Sequence, residues 1–203
     1  MRHLFLMDPI EEIRVDLDST FALMLEAQDR GHQILYAQPR DLYSRGGTAR
    51  ARAQGVSLSP RQGEHVQFQS VEDLALGDVD VVWMRKDPPF DMDYVFSTYL
   101  LDLATSDTLV VNHPEGLRAF NEKAWALQFT ELIPESLVTQ SQEQLRSFAD
   151  ELGSIVVKPL DGNGGAGVFI VRSDDPNIGV ILEMSTNHGS TKVMAQRYLP
   201  EAR

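Results

Sequence analysis

The residues with the clearest capacity for chemistry lie in one glycine-rich stretch, residues 158–167, which reads KPLDGNGGAG. Its glycines are Gly162, Gly164, Gly165 and Gly167. Because glycine has no Cβ, successive backbone N–H groups can surround phosphate oxygens as an anion-binding nest. Lys158 ends the preceding apolar run and can place a positive charge on the same phosphates. The stretch therefore predicts a phosphate-binding loop.

The spacing of Gly162, Gly164 and Gly167 also satisfies the G-x-G-x-x-G pattern of dinucleotide-binding proteins. That pattern requires a helix directly after the loop, with the pyrophosphate at its N-terminus. Here the apolar run 168–171 follows and indicates a strand, and no Lys-Ser/Thr pair follows the last glycine as a Walker A loop requires. We therefore expect a strand–loop–strand flap. A flexible hairpin tip that binds nothing is the alternative.

Two further segments favour a nucleotide site. Lys123 lies near the start of a predicted helix over residues 122–129. The predicted strand 192–196 breaks before Pro200, so unpaired backbone groups around Gln196, Arg197, Tyr198 and Leu199 can read an adenine edge. Taken singly, an exposed helix lysine and a plain strand end are the better interpretations of these features. Their order, a lysine, a lysine–glycine flap and a strand break within about 80 residues, favours one shared nucleotide site.

The elements that must position these residues form two groups. Residues 1–120 alternate short apolar runs with helical patterns, which predicts a doubly wound, mainly parallel α/β sheet. Its strands are expected at 4–7, 34–37, 79–84 and 109–111, and its helices at 19–30 and 91–104. Residues 121–203 instead predict an α+β unit. Its strands are expected at 136–139, 155–157, 168–171 and 192–196, with helices at 141–152 and from 178 to about 187.

The segment 40–61 interrupts the alternation. It contains a Gly46-Gly47 turn signal, which favours a β-hairpin, and five of the fourteen arginines of the chain. We interpret these arginines as a solvated edge. A basic patch that meets an acidic surface of another subunit is the alternative.

Composition excludes several classes of protein. The 18 basic and 30 acidic residues give a net charge of −12, which argues against nucleic-acid binding. The absence of cysteine excludes disulfides, Cys-ligated zinc and a thiol nucleophile. No apolar run approaches the about 20 residues that a membrane-spanning helix needs, so we expect no membrane partner and a cytoplasmic protein.

Several motifs in register resemble the ATP-grasp ligases, and within them bacterial glutathione synthetase. They are 7–10 (MDPI), 84–91 (MRKDPPFD), 112–114 (NHP) with 117–118 (LR), 121–123 (NEK), 158–162 (KPLDG) with 164–165 (GG), and 195–196 (AQ) with 198–200 (YLP). The resemblance implies a substrate-side domain over residues 1–120 and an ATP-grasp lid over 121–203. It also implies that ATP binds at Lys123, Lys158, the four glycines and 196–199, while Arg85 and Lys86 bind substrate.

The resemblance further implies the substrates of the enzyme and the part of the enzyme that this chain lacks. The substrates are ATP, γ-glutamylcysteine and glycine, joined through an acyl phosphate with Mg²⁺, or Mn²⁺, as the metal, in a homo-oligomer. Members of the family continue past the adenine-side strand into a segment that carries the metal ligands. We therefore expect the catalytic residues beyond Arg203 and no metal ligands before it. We also expect that this chain alone has no ligase activity. A non-catalytic nucleotide-binding or assembly module and another ATP-grasp carboxylate–amine ligase are the alternatives.

Overall fold

A computed structural model describes residues 1–201. The chain divides into two compact units, Met1–Ala119 and Phe120–Arg203. Residues 202 and 203, which end the second predicted domain, lie outside the described residues. No helix within residues 1–201 combines the length and the apolar character needed to cross a bilayer.

The first unit is built on a seven-stranded sheet. Its strands are β1 (Arg2–Leu6), β2 (Gln33–Ala37), β3 (Leu42–Arg45), β4 (Thr48–Leu58), β5 (Val66–Ala75), β6 (Val81–Met84) and β7 (Leu109–Val111). Strands β2, β1, β6 and β7 lie side by side in that order and are parallel. Strands β3, β4 and β5 extend the sheet beyond β2 as antiparallel neighbours. The predicted α/β class is confirmed, with an antiparallel extension.

Helices cover both faces of this sheet. The helices are α1 (Ser19–Asp29), α2 (Met92–Asp102) and α3 (Pro114–Ala119). Side chains alternate across β1, so Leu4 joins a core cluster with residues of α2, whereas Phe5 joins a separate cluster with residues of α1. Asp18 caps α1 by accepting from the Phe21 N–H at 2.7 Å. The predicted helix starts are therefore confirmed on both sides of a doubly wound sheet.

The hairpin predicted within residues 40–61 is present as β3 and β4. Its turn uses Gly46 and Gly47, both with positive φ, at 60° and 80°. Strand β5 was not predicted, because half of the residues in its sequence VQFQSVEDLA are polar and most of them are exposed in the structure. It pairs along β4 over ten residues with one irregularity at Gly55.

The second unit contains one four-stranded antiparallel sheet and two longer helices. The elements are β8 (Ser136–Thr139), α4 (Gln142–Leu152), β9 (Ser154–Pro159), β10 (Phe169–Arg172), α5 (Ile178–Ser185) and β11 (Val193–Arg197). The strand order is β10, β9, β11, β8. Ile155 and Val157 of β9 pack with both helices in a single core cluster. The α+β architecture predicted here is confirmed.

The helix predicted over residues 122–129 does not form. Only one turn of 3-10 helix, Trp125–Gln128, is present. The Asn121 side-chain oxygen accepts from the N–H groups of Lys123 at 3.1 Å and Ala124 at 2.9 Å. This is the hydrogen-bonding pattern of a helix N-cap, so Asn121 starts a helical turn, which here does not continue into a regular helix.

Candidate nucleotide-binding site

A β-hairpin carries the glycine-rich loop. Strands β9 and β10 are antiparallel, with Phe169 opposite Val157 and Arg172 opposite Ser154. Strand β10 begins two residues after Gly167, where a dinucleotide-binding loop would open a helix. The strand–loop–strand interpretation is therefore confirmed, and the dinucleotide fingerprint is excluded.

The loop consists of two successive turns. The Ala166 N–H donates to Asn163 O at 3.1 Å, and the Val168 N–H donates to Gly165 O at 3.2 Å. Gly164 and Gly165 have φ of 59° and 78°, a region that other residues adopt only with strain. Within residues 1–201, the N–H groups of these two glycines donate to no protein acceptor. Consecutive free N–H groups in such a conformation can bind an anion.

Lys123 lies against this loop. Its Nζ donates to the carbonyl oxygen of Gly162 and lies 3.2 Å from a carboxylate oxygen of Glu122. The Asn121 side-chain nitrogen donates to Leu160 O at 3.0 Å and so ties the same turn to the strand end. A cavity of about 290 Å³ lies between this turn and the loop, lined by Glu122, Lys123, Pro159, Gly162, Asn163, Gly164, Gly165, Ala166 and Val168.

Lys158 lies on the sheet face opposite the helices. It alternates with buried Val157 and stands opposite Met194 of β11. Partial burial and, second, the positive charge of Lys123 lower the pKa of the Lys158 ammonium group. The structure therefore brings the two predicted phosphate-binding lysines close enough to repel each other. An anion between them would relieve both the repulsion and the loss of hydration.

The predicted adenine-side segment follows along β11. Gln196 donates from its side chain to the Ser136 hydroxyl at 2.8 Å, and the Arg197 guanidinium pairs with Glu135 at 2.8 Å. The Tyr198 N–H donates to Ser154 O at 3.1 Å and is not available to a ligand. The Leu199 N–H has no acceptor within residues 1–201, so it is the backbone donor that this segment offers.

Arg85 and Lys86, the predicted substrate-binding residues of the first unit, have different surroundings. Arg85 donates to the hydroxyls of Thr20 at 3.0 Å and Ser19 at 3.1 Å, at the start of α1. Lys86 lines a cavity and has its Nζ 3.6 Å from a carboxylate oxygen of Asp8. The guanidinium of Arg85 therefore links a strand end to a helix start, and only Lys86 faces open space.

Sequence reasoning recognised two residues, Asn121 of the second unit and Asp8 of the first, only as parts of family motifs and gave neither a role. For Asn121 the available signal was an Asn directly before a helix-like segment, which indicates a turn. Asp8 follows β1 and accepts from the Asp87 N–H at 2.7 Å, so it fixes the loop that carries Lys86. An acidic residue directly after the first strand of a parallel sheet was the available signal.

Comparison with solved structures defines the class. A RimK domain ATP-grasp protein from Sphaerobacter thermophilus DSM 20745 aligns with TM-score 0.60 and 21% identity, over 98% of this chain and 65% of that one. D-alanyl-alanine synthetase A from Vibrio cholerae aligns with TM-score 0.60 and 15% identity, over 98% of this chain and 60% of that one. The fold is that of the ATP-grasp proteins.

Sequence comparison defines the family. Residues 1–118 match the prokaryotic glutathione synthetase N-terminal domain, and residues 122–203 match the prokaryotic glutathione synthetase ATP-grasp domain. The chain therefore belongs to the prokaryotic glutathione synthetase family. It is 47% identical over 195 residues to a glutathione synthetase of Escherichia coli O6:H1 and 47% identical to one of Pseudomonas syringae pv. tomato. It spans 62% and 61% of the length of these relatives and is itself covered to 96%.

Proposed function

We propose that this chain supplies the substrate-side domain (residues 1–120) and the nucleotide-binding lid (residues 121–203) of a glutathione synthetase. The enzyme joins glycine to γ-glutamylcysteine using ATP. Family membership over both units supports this proposal. The observation that carries it is the pair of neighbouring lysines, Lys123 and Lys158, beside a loop with free glycine N–H groups.

We assign the phosphates of ATP to this loop. Gly162, Gly164, Gly165 and Gly167 are short enough for the backbone to approach phosphate oxygens, and the two lysines offset the charge of the phosphates. The adenine base lies against the segment 196–199, where the Leu199 N–H donates to a ring nitrogen. The roles of Gln196, Arg197 and Tyr198 are to shape that segment through Ser136, Glu135 and Ser154.

The reaction follows in two balanced steps. A carboxylate oxygen of γ-glutamylcysteine attacks the γ-phosphorus, and the bond from that phosphorus to the bridging oxygen breaks, which releases ADP and leaves an acyl phosphate. The nitrogen of glycine then attacks the acyl carbon and loses a proton, and inorganic phosphate leaves. The chain's own contribution is to hold the phosphates and to shield the acyl phosphate from water beneath the loop.

A divalent cation, Mg²⁺ or Mn²⁺, supplies further charge neutralisation on the phosphates when bound. Within residues 1–201, no three His, Asp or Glu side chains are grouped as a metal site. We propose that the protein ligands of this cation come from a part of the family that this chain does not contain, since the chain spans 62% of the length of its Escherichia coli O6:H1 relative. A cytoplasmic location and a homo-oligomeric state complete the proposal.

The test is a ligation assay on two proteins. One is the 203-residue chain, and the other is this chain joined to the C-terminal part of its Escherichia coli relative. ADP and glutathione are measured with ATP, Mg²⁺, γ-glutamylcysteine and glycine. We expect glycine-dependent formation of both products by the joined protein and none by the 203-residue chain.

Each alternative function has its own signature in this assay. ADP release with another amine, but not with glycine, would identify a different carboxylate–amine ligase. ATP binding without product from any amine would identify a non-catalytic nucleotide-binding module. Turnover by the 203-residue chain would show that its own carboxylates hold the metal.

A further inference from the structure

Helix α2 of the first unit is apolar on two opposite faces. Tyr94 and Leu101 on one face are buried in the core of this unit. Four large side chains on the other face, which we call the α2 seam, are between 45% and 58% exposed: Met92, Phe96, Tyr99 and Leu103. A helix that is apolar around its whole circumference is normally covered around its whole circumference. The α2 seam is therefore a candidate contact surface.

The spacing of the α2 seam is that of helices that pair along their length. Its residues follow one another at intervals of four, three and four positions. This is the alternation of the a and d positions of a coiled coil. At about 100° per residue, all four side chains fall within an arc of about 60°. They form one straight apolar stripe, roughly 16 Å long, down the outer side of the helix.

Helix α4 of the second unit shows what a solvent-facing helix of this protein looks like. It has the same length, eleven residues, but its exposed residues include Glu143, Arg146 and Asp150. In α2 the charged residues, Asp93 and Asp102, lie beside the seam and not on it. A contiguous exposed apolar patch with a polar rim is typical of a protein–protein contact.

The aromatic centre of the α2 seam is held in place from α3. The guanidinium carbon of Arg118 lies 4.9 Å from the centroid of the Tyr99 ring. The same guanidinium donates to the Thr98 hydroxyl at 2.9 Å and pairs with Asp102 at 2.8 Å. The ring centroids of Phe96 and Tyr99 are 6.4 Å apart. Side chains that are already held lose less conformational freedom when a partner binds.

The order of side chains in the α2 seam is the same in both directions: aliphatic, aromatic, aromatic, aliphatic. When a second copy lies antiparallel, Met92 is opposite Leu103 of that copy, and Phe96 is opposite Tyr99 of that copy. Each of these contacts then occurs twice. A two-fold interface requires a surface that is complementary to itself in this way, whereas an unrelated partner does not.

We propose that the α2 seam is a contact between two copies of this chain, whose α2 helices pair antiparallel about a two-fold axis. The inference gives a surface to the homo-oligomeric state in the proposed function. A half-exposed side chain of this size offers about 100 Å². Two seams therefore bury about 800 Å², less than the about 1,200–2,000 Å² of a stable interface, so we expect a reversible dimer with Kd in the micromolar range.

Sedimentation equilibrium of the 203-residue chain over a range of concentrations tests the surface. We expect Phe96→Ser and Tyr99→Ser each to raise the Kd of the dimer by about tenfold or more, because each removes two aromatic contacts per dimer. Phe68→Ser on β5 and Val180→Ser on α5 are the matched controls, since they remove exposed apolar side chains elsewhere. These controls should leave the Kd unchanged. Circular dichroism confirms that every variant is folded.

A pair of charged variants tests the antiparallel register. Met92→Lys and Leu103→Glu each place two charges against apolar side chains in their own dimer, so each should be monomeric where the unaltered chain is dimeric. In a mixture of the two variants, the introduced lysine of one copy faces the introduced glutamate of the other, and the second contact between these positions is unaltered. We expect the mixture to associate about tenfold more tightly than either variant alone.

The outcomes decide the inference independently of the ligation assay. Loss of the dimer in the seam variants only, with recovery in the mixture, would support it. A chain that stays monomeric up to millimolar concentration, equal losses in the controls, or no recovery in the mixture would overturn it. The same measurement on the joined protein must also give a dimer, since a monomer there would show that the C-terminal part covers the seam. None of these results depends on whether glutathione forms.

Discussion

The two units differ in how many faces of their sheets are covered by helices. In the first unit, adjacent residues of β1 enter two separate cores, and both Leu4 and Phe5 are fully buried. In the second unit, Val157 enters the single described core, whereas Ile170 on the other face is 54% exposed.

This difference determines where each unit can take a ligand. A sheet that is covered on both faces leaves only its ends open, and the cavity beside Lys86 lies at such an end. A sheet that helices cover on one face only can present functional side chains on the other. Lys158 and Gln196 lie there, next to the buried Met194. The proposed substrate site and the proposed nucleotide site therefore use different parts of a sheet.

Mutations in the core of the first unit give the strongest test of this difference between the two units. We expect Leu4→Ala and Phe5→Ala each to lower the free energy of unfolding by about 3–4 kcal/mol, because each leaves a cavity in a separate core. Urea unfolding followed by the fluorescence of Trp83, in a Trp125→Phe background, measures both. A cost below about 1 kcal/mol for either would show that one face of this sheet is not a true core.

The same experiment on neighbouring residues of β9 sharpens the contrast. Val157→Ala should cost about 2 kcal/mol, since it removes two buried methyl groups from the helix-covered face. Val156→Ala, on the opposite and half-buried face, should cost less than about 1 kcal/mol. Unfolding followed by Trp125 fluorescence, in a Trp83→Phe background, gives both values, and equal costs would contradict the one-sided packing.

The lysines test whether the open face binds phosphate. We expect Lys123→Ala and Lys158→Ala each to weaken ATP binding by about tenfold or more, because each removes a partly buried charge from the phosphates. Lys192→Ala, which removes an exposed lysine elsewhere in the same unit, is the matched control. Calorimetric titration with ATP and Mg²⁺ on the joined protein measures the three affinities. Unchanged ATP affinity in both variants would show that the phosphates of ATP do not bind at this loop.

The smallest expected effect is a dependence of stability on pH. The pKa of Lys158 is lowered in the folded protein, first by burial and then by Lys123. Between that lowered value and 10.5, the ordinary value, the unfolded chain binds more protons, so the free energy of unfolding rises with pH through this interval. Lys158→Met should abolish this rise and be more stable than the unaltered chain at neutral pH. Urea unfolding at a series of pH values measures the free energy of unfolding of each variant, with Lys192→Met as control. An equal rise with pH in Lys158→Met and the unaltered chain would contradict the prediction.

The sequence by itself determined most of the local structure. The starts of the helices predicted at 19, 91 and 141 agree within one residue with those observed, because Asp18, Asp91 and Ser141 each place a short polar side chain before a helical pattern and cap it. The glycine spacing, followed directly by a β-branched and aromatic run, was enough to predict a flap and to reject a dinucleotide-binding turn. The family motifs indicated ATP independently of the tertiary structure.

Tertiary structure alone decided which charged groups are free and which are occupied. Arg85 and Lys86 are adjacent in sequence and were predicted to act together, yet one is held by Ser19 and Thr20 and the other lines a cavity. Likewise, the mutual repulsion of Lys123 and Lys158 exists only because a turn at Asn121 brings them together across 35 residues of chain. The partners of a side chain depend on which distant segments of the chain contact each other in the fold. A single sequence does not directly record these contacts.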